Sequence, residues 1–124
     1  NIYEFYFKPH PNQSIKNLYP EITRENGSMQ EIILNYDIFF CGNMTYASVD
    51  GYIAGLKIFV MKDMFSLDLC PLNSEQAIFI NDSRSLIDNI NTMATENNFL
   101  EMNSRDELLF TNKDLKKWTS LLEN

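Results

Sequence analysis

The sequence predicts an α+β domain: an antiparallel β-sheet meander of five to six strands, followed by two to three mainly C-terminal helices packed on one face. Three observations predict it. Strand-like runs occupy the chain up to residue 80, several of them alternating at period two. Helical signals, caps and apolar residues at three- and four-residue spacing, begin only after residue 81. Between two strand-like runs stands Asp50-Gly51, a dipeptide favoured in two-residue type I′ hairpins because both central residues need positive φ. The 124 residues, 44% hydrophobic, suffice for one globular domain spanning 1–124.

Residues 2–7 open the meander, with Tyr3, Phe5 and Phe7 on one face and Glu4 opposite. Pro9, Pro11 and Pro20 punctuate an irregular region, in which "SIKNLYPEI" has room for a helical turn or two ending before Pro20. Asn26-Gly27 marks a turn. Residues 30–41 read as a long half-buried strand: Ile32, Leu34, Tyr36, Ile38 and Phe40 share one face, and the more polar set Ile33, Asn35, Asp37 and Phe39 the other. Strands at 45–49 and 52–61 flank the Asp-Gly turn, and Gly55 marks a bulge. Residues 64–70 follow, with Phe65, Leu67 and Leu69 inward and Ser66 and Asp68 outward, and then residues 76–80.

Asp82 or Ser83 is placed to cap a helix running to about residue 97, whose stripe is Leu86, Ile87, Ile90, Met93 and Ala94. Residues 99–102 are expected to return to the sheet. Ser104-Arg105-Asp106-Glu107 has the spacing of a capping box and opens a short helix through Leu109. Thr111 or Asn112 caps a final helix with Leu115, Trp118, Leu121 and Leu122 as its buried stripe and Lys113, Lys116 and Lys117 on or beside its solvent side. One continuous helix over 105–123 is the alternative.

"SVDGYIAG", residues 48–55, admits three readings: a hairpin tip, a phosphate loop, or a close-packing helix patch. A phosphate loop needs GxGxxG, or GxxxxGK with Ser or Thr, leading into a helix; Gly51 and Gly55 stand alone. A GxxxG membrane patch needs a long apolar helix, and no apolar run here approaches the ~20 residues of a span. The hairpin is therefore expected, and no cofactor site with it.

Other chemical devices are sparse. His10, the single histidine, lies between two prolines without Cys or His at ligand spacing, so no metal is expected. Cys41 and Cys70 read as free thiols of a reducing cytoplasm, being too few for a disulfide scaffold and not in a CxxC pair. The N-terminus shows no basic stretch followed by an apolar one, so no secretory signal is expected in it. The Asn-x-Ser/Thr triplets at Asn12, Asn26, Asn43 and Asn81 are expected by chance in an Asn-rich chain. No carboxylate pair sits in an acid–base motif and no EF-hand frame appears, so the expectation is no catalytic residue and no enzyme.

The charge is informative. Residues 63–107 hold nine acids against Arg84 and Arg105, which equals the whole net charge of −7. No basic residue lies between Arg24 and Lys57. Such a surface repels phosphate backbones, excluding direct nucleic-acid binding, and attracts a basic partner. In small size, concentrated acidity and want of a catalytic set, the chain resembles immunity proteins of bacterial toxin–immunity systems of the contact-dependent growth-inhibition type. That resemblance implies a cytoplasmic inhibitor of a basic toxin, a nuclease, bound over its substrate-facing surface. The expected contacts are Asp63, Asp68, Glu75, Asp82 and Asp88, with Tyr46 and Tyr52 as aromatic anchors. Two other classes stay open: a ligand-binding or regulatory domain with an apolar pocket between sheet and helices, and an enzyme using His10 or a buried carboxylate.

Overall fold

The computed structural model describes residues 3–10, 20–65 and 67–95. It divides into two compact units, 1–36 and 37–124. In the first, β1 (Tyr6–Phe7) pairs in parallel with β2 (Thr23–Arg24). Helix α1 (Met29–Ile32) follows and runs into a 3-10 turn, Ile33–Asn35. A capping box starts α1: the Ser28 hydroxyl accepts from the Glu31 N–H, and the Glu31 carboxylate accepts from the Ser28 N–H at 2.7 Å. These bonds to Ser28 hold the Glu31 carboxyl below its ordinary pKa.

The second unit carries β3 (Ile38–Gly42), α2 (Ala47–Ile53), β4 (Lys57–Met61), β5 (Ile78–Ile80) and α3 (Ser83–Thr95). Its sheet has the order β3-β4-β5, and both pairings are parallel. This overturns the antiparallel meander. The physical reason lies in the connections, residues 43–56 and 62–77, which have the length of crossovers rather than of hairpin turns. The strands agree. Ile38–Cys41, Ile58–Met61 and Ile78–Ile80 are continuous apolar runs, the sequence pattern of parallel strands, and it is β4 that is buried on both faces. β4 is central, and Phe59 is 0% exposed.

The helices do not share a face either. Gly51 of α2 lies against Phe39 and Ile58, whereas Ile90 of α3 clusters with Phe59 and Ile80. Successive strand residues point to opposite faces, so α2 and α3 cover opposite sides of the sheet. Ile38, Met61, Ile78, Leu86 and Met93 complete the α3 side.

Several expected elements change identity. Residues 30–37 are helix, 3-10 turn and bend; only 38–42 form strand. Residues 45 and 46 lead into α2, which takes up 47–49, and Asp50-Gly51 lies inside that helix rather than at a hairpin tip. Gly51 is there for proximity: a Cβ would come within 2.9 Å of Ile58 Cδ1 and 3.3 Å of the Phe39 ring. Gly55, at φ 97°, ends α2 rather than bulging a strand. The Gly55 N–H donates to the Tyr52 carbonyl and the Leu56 N–H to the Gly51 carbonyl, a Schellman closure with Leu56 buried behind it. The "SVDGYIAG" glycines thus serve packing and helix termination.

The described residues of 64–70 form no strand. The expected elements at 14–18, 99–102, 104–109 and 111–123, with residues 2, 96 and 97, lie outside the described residues. No helix among the described residues is long and apolar enough to cross a membrane.

Candidate functional site

Because β3, β4 and β5 are parallel, they end at one edge of the sheet, at Gly42, Met61 and Ile80. Open α/β sheets bind ligands outside the carboxyl ends of their strands, where loops converge without an overlying helix. Three segments meet this condition: residues 43–46, residues 62–69 and residues 81–83, the first and third leading into α2 and α3.

The first segment is held by its own polar groups. Thr45 Oγ1 accepts from the Ala47 N–H at 3.3 Å, and the Thr45 carbonyl accepts from the Ser48 hydroxyl at 2.9 Å. Ser48 is 0% exposed, so that bond is the one that keeps its hydroxyl satisfied inside the helix–sheet layer. Asn43 is buried too, and its Nδ2 donates to the Leu67 carbonyl at 2.9 Å, stapling the first segment to the second.

In the second segment the Lys62 N–H donates to the Ile80 carbonyl at 2.8 Å, prolonging the β4–β5 ladder by one bond. The Lys62 ammonium bonds Asp68 at 2.6 Å and sits 5.4 Å from the centre of the Phe79 ring. That hydrogen bond holds the Asp68 carboxyl below its ordinary pKa. Asp63 Oδ1 accepts from the Phe65 N–H at 3.1 Å, turning the chain outward. The outcome is a row of exposed apolar side chains, Met64, Phe65, Leu67 and Leu69, with Phe65 92% exposed. From the first segment Met44 and Tyr46 are also exposed.

The third segment caps α3. The Ser85 N–H donates to Asp82 Oδ1 at 2.7 Å, and this bond depresses the Asp82 pKa.

The expected contact residues are therefore only partly brought together. Tyr46, Asp63, Asp68 and Asp82 belong to the edge segments, and Tyr46 is 79% exposed. Asp68 and Asp82 are engaged by Lys62 and Ser85. Glu75 lies in the turn that leads into the start of β5, at the opposite edge, and Asp88 lies on α3; both are exposed. Tyr52 is 7% exposed on α2, so it is a core residue and not a surface anchor.

Asn43, Lys62 and the exposed row were missed by sequence reasoning. One signal was present: "MFSLDL" contains no β-branched residue, and Phe65 alone of its six residues favours strand.

Burial, with Cys70 nearby, pushes the Cys41 thiol up to about 12, far from the thiolate range at neutral pH. His10 lies in the other unit. No group of three or more His, Cys, Asp or Glu among the described residues is arranged to hold a metal. In the first unit, Tyr6 and Tyr36 stack with centroids 5.2 Å apart. Tyr36 donates to the Glu25 carboxylate, which pushes its own pKa up to about 12, and Tyr6 donates to Glu4, which raises its pKa. These bonds serve that unit's own packing.

No protein-family model, no curated protein and no solved structure matches this chain.

Proposed function

We propose that this chain is a non-enzymatic binding module that takes a small hydrogen-bonding ligand at the carboxyl edge of its parallel sheet. The observation that carries the proposal is the convergence of three parallel strand ends, with the first two following segments stapled by the Asn43–Leu67 hydrogen bond. The edge offers the backbone of residues 42–46, the Lys62 ammonium and the apolar flanks of Met44 and Tyr46. The proposed site lies at the ends of the strands, whereas the sequence expectation placed it between sheet and helices. The test is amide NMR mapping of the full chain against a panel of nucleotides, sugar phosphates and amino acids. Saturable shifts confined to 42–46, 61–69 and 80–85, weakened by Asn43→Ala, support the proposal. Shifts elsewhere, or none across the panel, sink it.

A second reading is favoured by a different observation. Asp63 precedes the exposed row of Met64, Phe65, Leu67 and Leu69 and Asp68 interrupts it, so acidic and exposed apolar side chains share one short segment. That arrangement suits a protein which neutralises a basic toxin, a nuclease in the resemblance drawn above, in the cytoplasm. Association with such a partner should slow as salt rises, and charge reversal at Asp63 should slow it further. A salt-independent association rate would remove the electrostatic basis of this reading.

A further inference from the structure

We infer that the exposed apolar row on the β4–β5 crossover is the docking surface for this chain's own C-terminal stretch, residues 111–123. The row is too apolar to stand open without a role: Met64, Phe65, Leu67 and Leu69 are all exposed within six consecutive positions. The crossover beneath them is fixed at three points, the Asn43–Leu67 bond, the Lys62–Asp68 pair and the Asp63–Phe65 turn. A shelf fixed in this way presents its side chains at little ordering cost to whatever covers it.

Three features of the sequence select the occupant. First, in residues 111–123 the apolar positions Leu115, Trp118, Leu121 and Leu122 recur at helical spacing, an apolar stripe of the kind that lies along such a row. Second, the charges are complementary. The stretch carries Lys113, Lys116 and Lys117 against Asp114 and Glu123, a net charge of +1, while the shelf carries Asp63 and Asp68. Third, the tether is sufficient. Nineteen residues lie between Thr95, the last of α3, and Leu115, an extended reach of about 65 Å, several times the length of a five-residue strand at ~3.3 Å per residue. The inference is independent of the ligand proposal, and it competes with the toxin-neutralising reading for one surface.

Trp118 is the single tryptophan, so its fluorescence reports on this stretch alone. In the full chain under selective tryptophan excitation, Trp118 is expected to emit at short wavelength and to be shielded from acrylamide. Phe65→Asp and Leu67→Asp change side chains that project into solvent from the described residues. Each is expected to shift the emission to long wavelength and raise the quenching constant several-fold with unchanged far-UV circular dichroism. Leu34→Asp, an equally exposed change in the other unit, should leave Trp118 unaffected. If either Asp variant fails to fold, carbodiimide cross-linking of the unmodified chain replaces it. Zero-length links from Lys116 or Lys117 to Asp63 or Asp68 within one chain support the inference, and their absence overturns it. Solvent-like Trp118 emission in the unmodified chain also overturns it, as does shielded emission that ignores both shelf variants. Emission that depends on protein concentration assigns the shelf to a second copy and overturns it equally.

Discussion

The two crossovers of the parallel sheet solve one connection problem in opposite ways. Residues 43–56 turn into a helix at once, bury Ser48, Gly51, Tyr52 and Leu56, and close with a Schellman motif. The described residues of 62–77 form no helix, and Met64, Phe65, Leu67 and Leu69 are exposed. The first crossover buries Tyr52 and Leu56 on the sheet and leaves Met44, Tyr46 and Ile53 exposed at its start and along its helix. The second turns the first half of its apolar residues away and buries only Leu72 and Ala77 near its end. The difference teaches where stability and recognition reside: substitutions in 43–56 should unfold the sheet, and those in 62–69 should change what the surface holds.

The largest effect should come from filling the α2–sheet contact. Gly51→Ala places a Cβ 2.9 Å from Ile58 Cδ1, on a central strand that is closed on both faces. Overpacking of this kind costs about 1–3 kcal/mol, and Gly51→Val should exceed Gly51→Ala. Urea unfolding measures it, and a cost near zero for both would mean that α2 moves freely off the sheet. Gly55→Ala should come next, at about 1–2 kcal/mol, because the backbone there is left-handed at φ 97°. Ser48→Ala should follow at about 1 kcal/mol, the net value of a hydrogen bond whose donor is fully enclosed.

A smaller and more local effect is expected at the staple between the crossovers. Asn43→Ala removes the bond to the Leu67 carbonyl. Hydrogen exchange should then quicken in residues 62–70 and stay unchanged in α2. Equal acceleration in both would mean that the two crossovers open as one unit, and the contrast drawn here would fail.

The same contrast explains what the sequence made legible. The α3 cap and the stripe positions Leu86, Ile90 and Met93 could be read because they interact locally, within one helix and its buried face, whereas Ile87, expected on that stripe, is 56% exposed. Strand positions 57–61 and 78–80 were legible as apolar runs, but their direction was not. Parallel and antiparallel pairing differ through the connection between strands, and Asp50-Gly51 supplied a hairpin signal strong enough to hide a crossover. What overrode that local preference was tertiary: Gly51 lies where only a hydrogen fits against Ile58 and Phe39, a fact invisible until the two elements are brought together. The candidate site was half legible for the same reason. Asp63, Asp68 and Tyr46 stood out by charge and aromaticity. Asn43 gains its role from a carbonyl distant in sequence, and Phe65 and Leu67 were assigned to a core because alternation alone cannot say which face is buried.

Acid should separate the crossovers by the smallest effect of all. The Lys62 ammonium keeps the Asp68 carboxyl below its ordinary value of 3.8, so the folded chain holds this proton less tightly than the unfolded one. A depressed carboxyl contributes stability in full above its unfolded pKa, and that contribution is lost as pH falls through the lower, folded pKa. The clip on the second crossover should therefore persist through neutral and mildly acidic pH and release only below about 3.8. Both partners are well exposed, so solvent and salt screen the pair and the change in global stability should be slight. Its signature is local instead: side-chain carbonyl NMR of Asp68 should titrate below the ordinary aspartate range, and Asp68→Asn should release Lys62 at every pH. If Asp68 titrates at its ordinary value, the Lys62 clip does not hold the second crossover in solution. The shelf would then be fixed by Asn43 and the Asp63 turn alone.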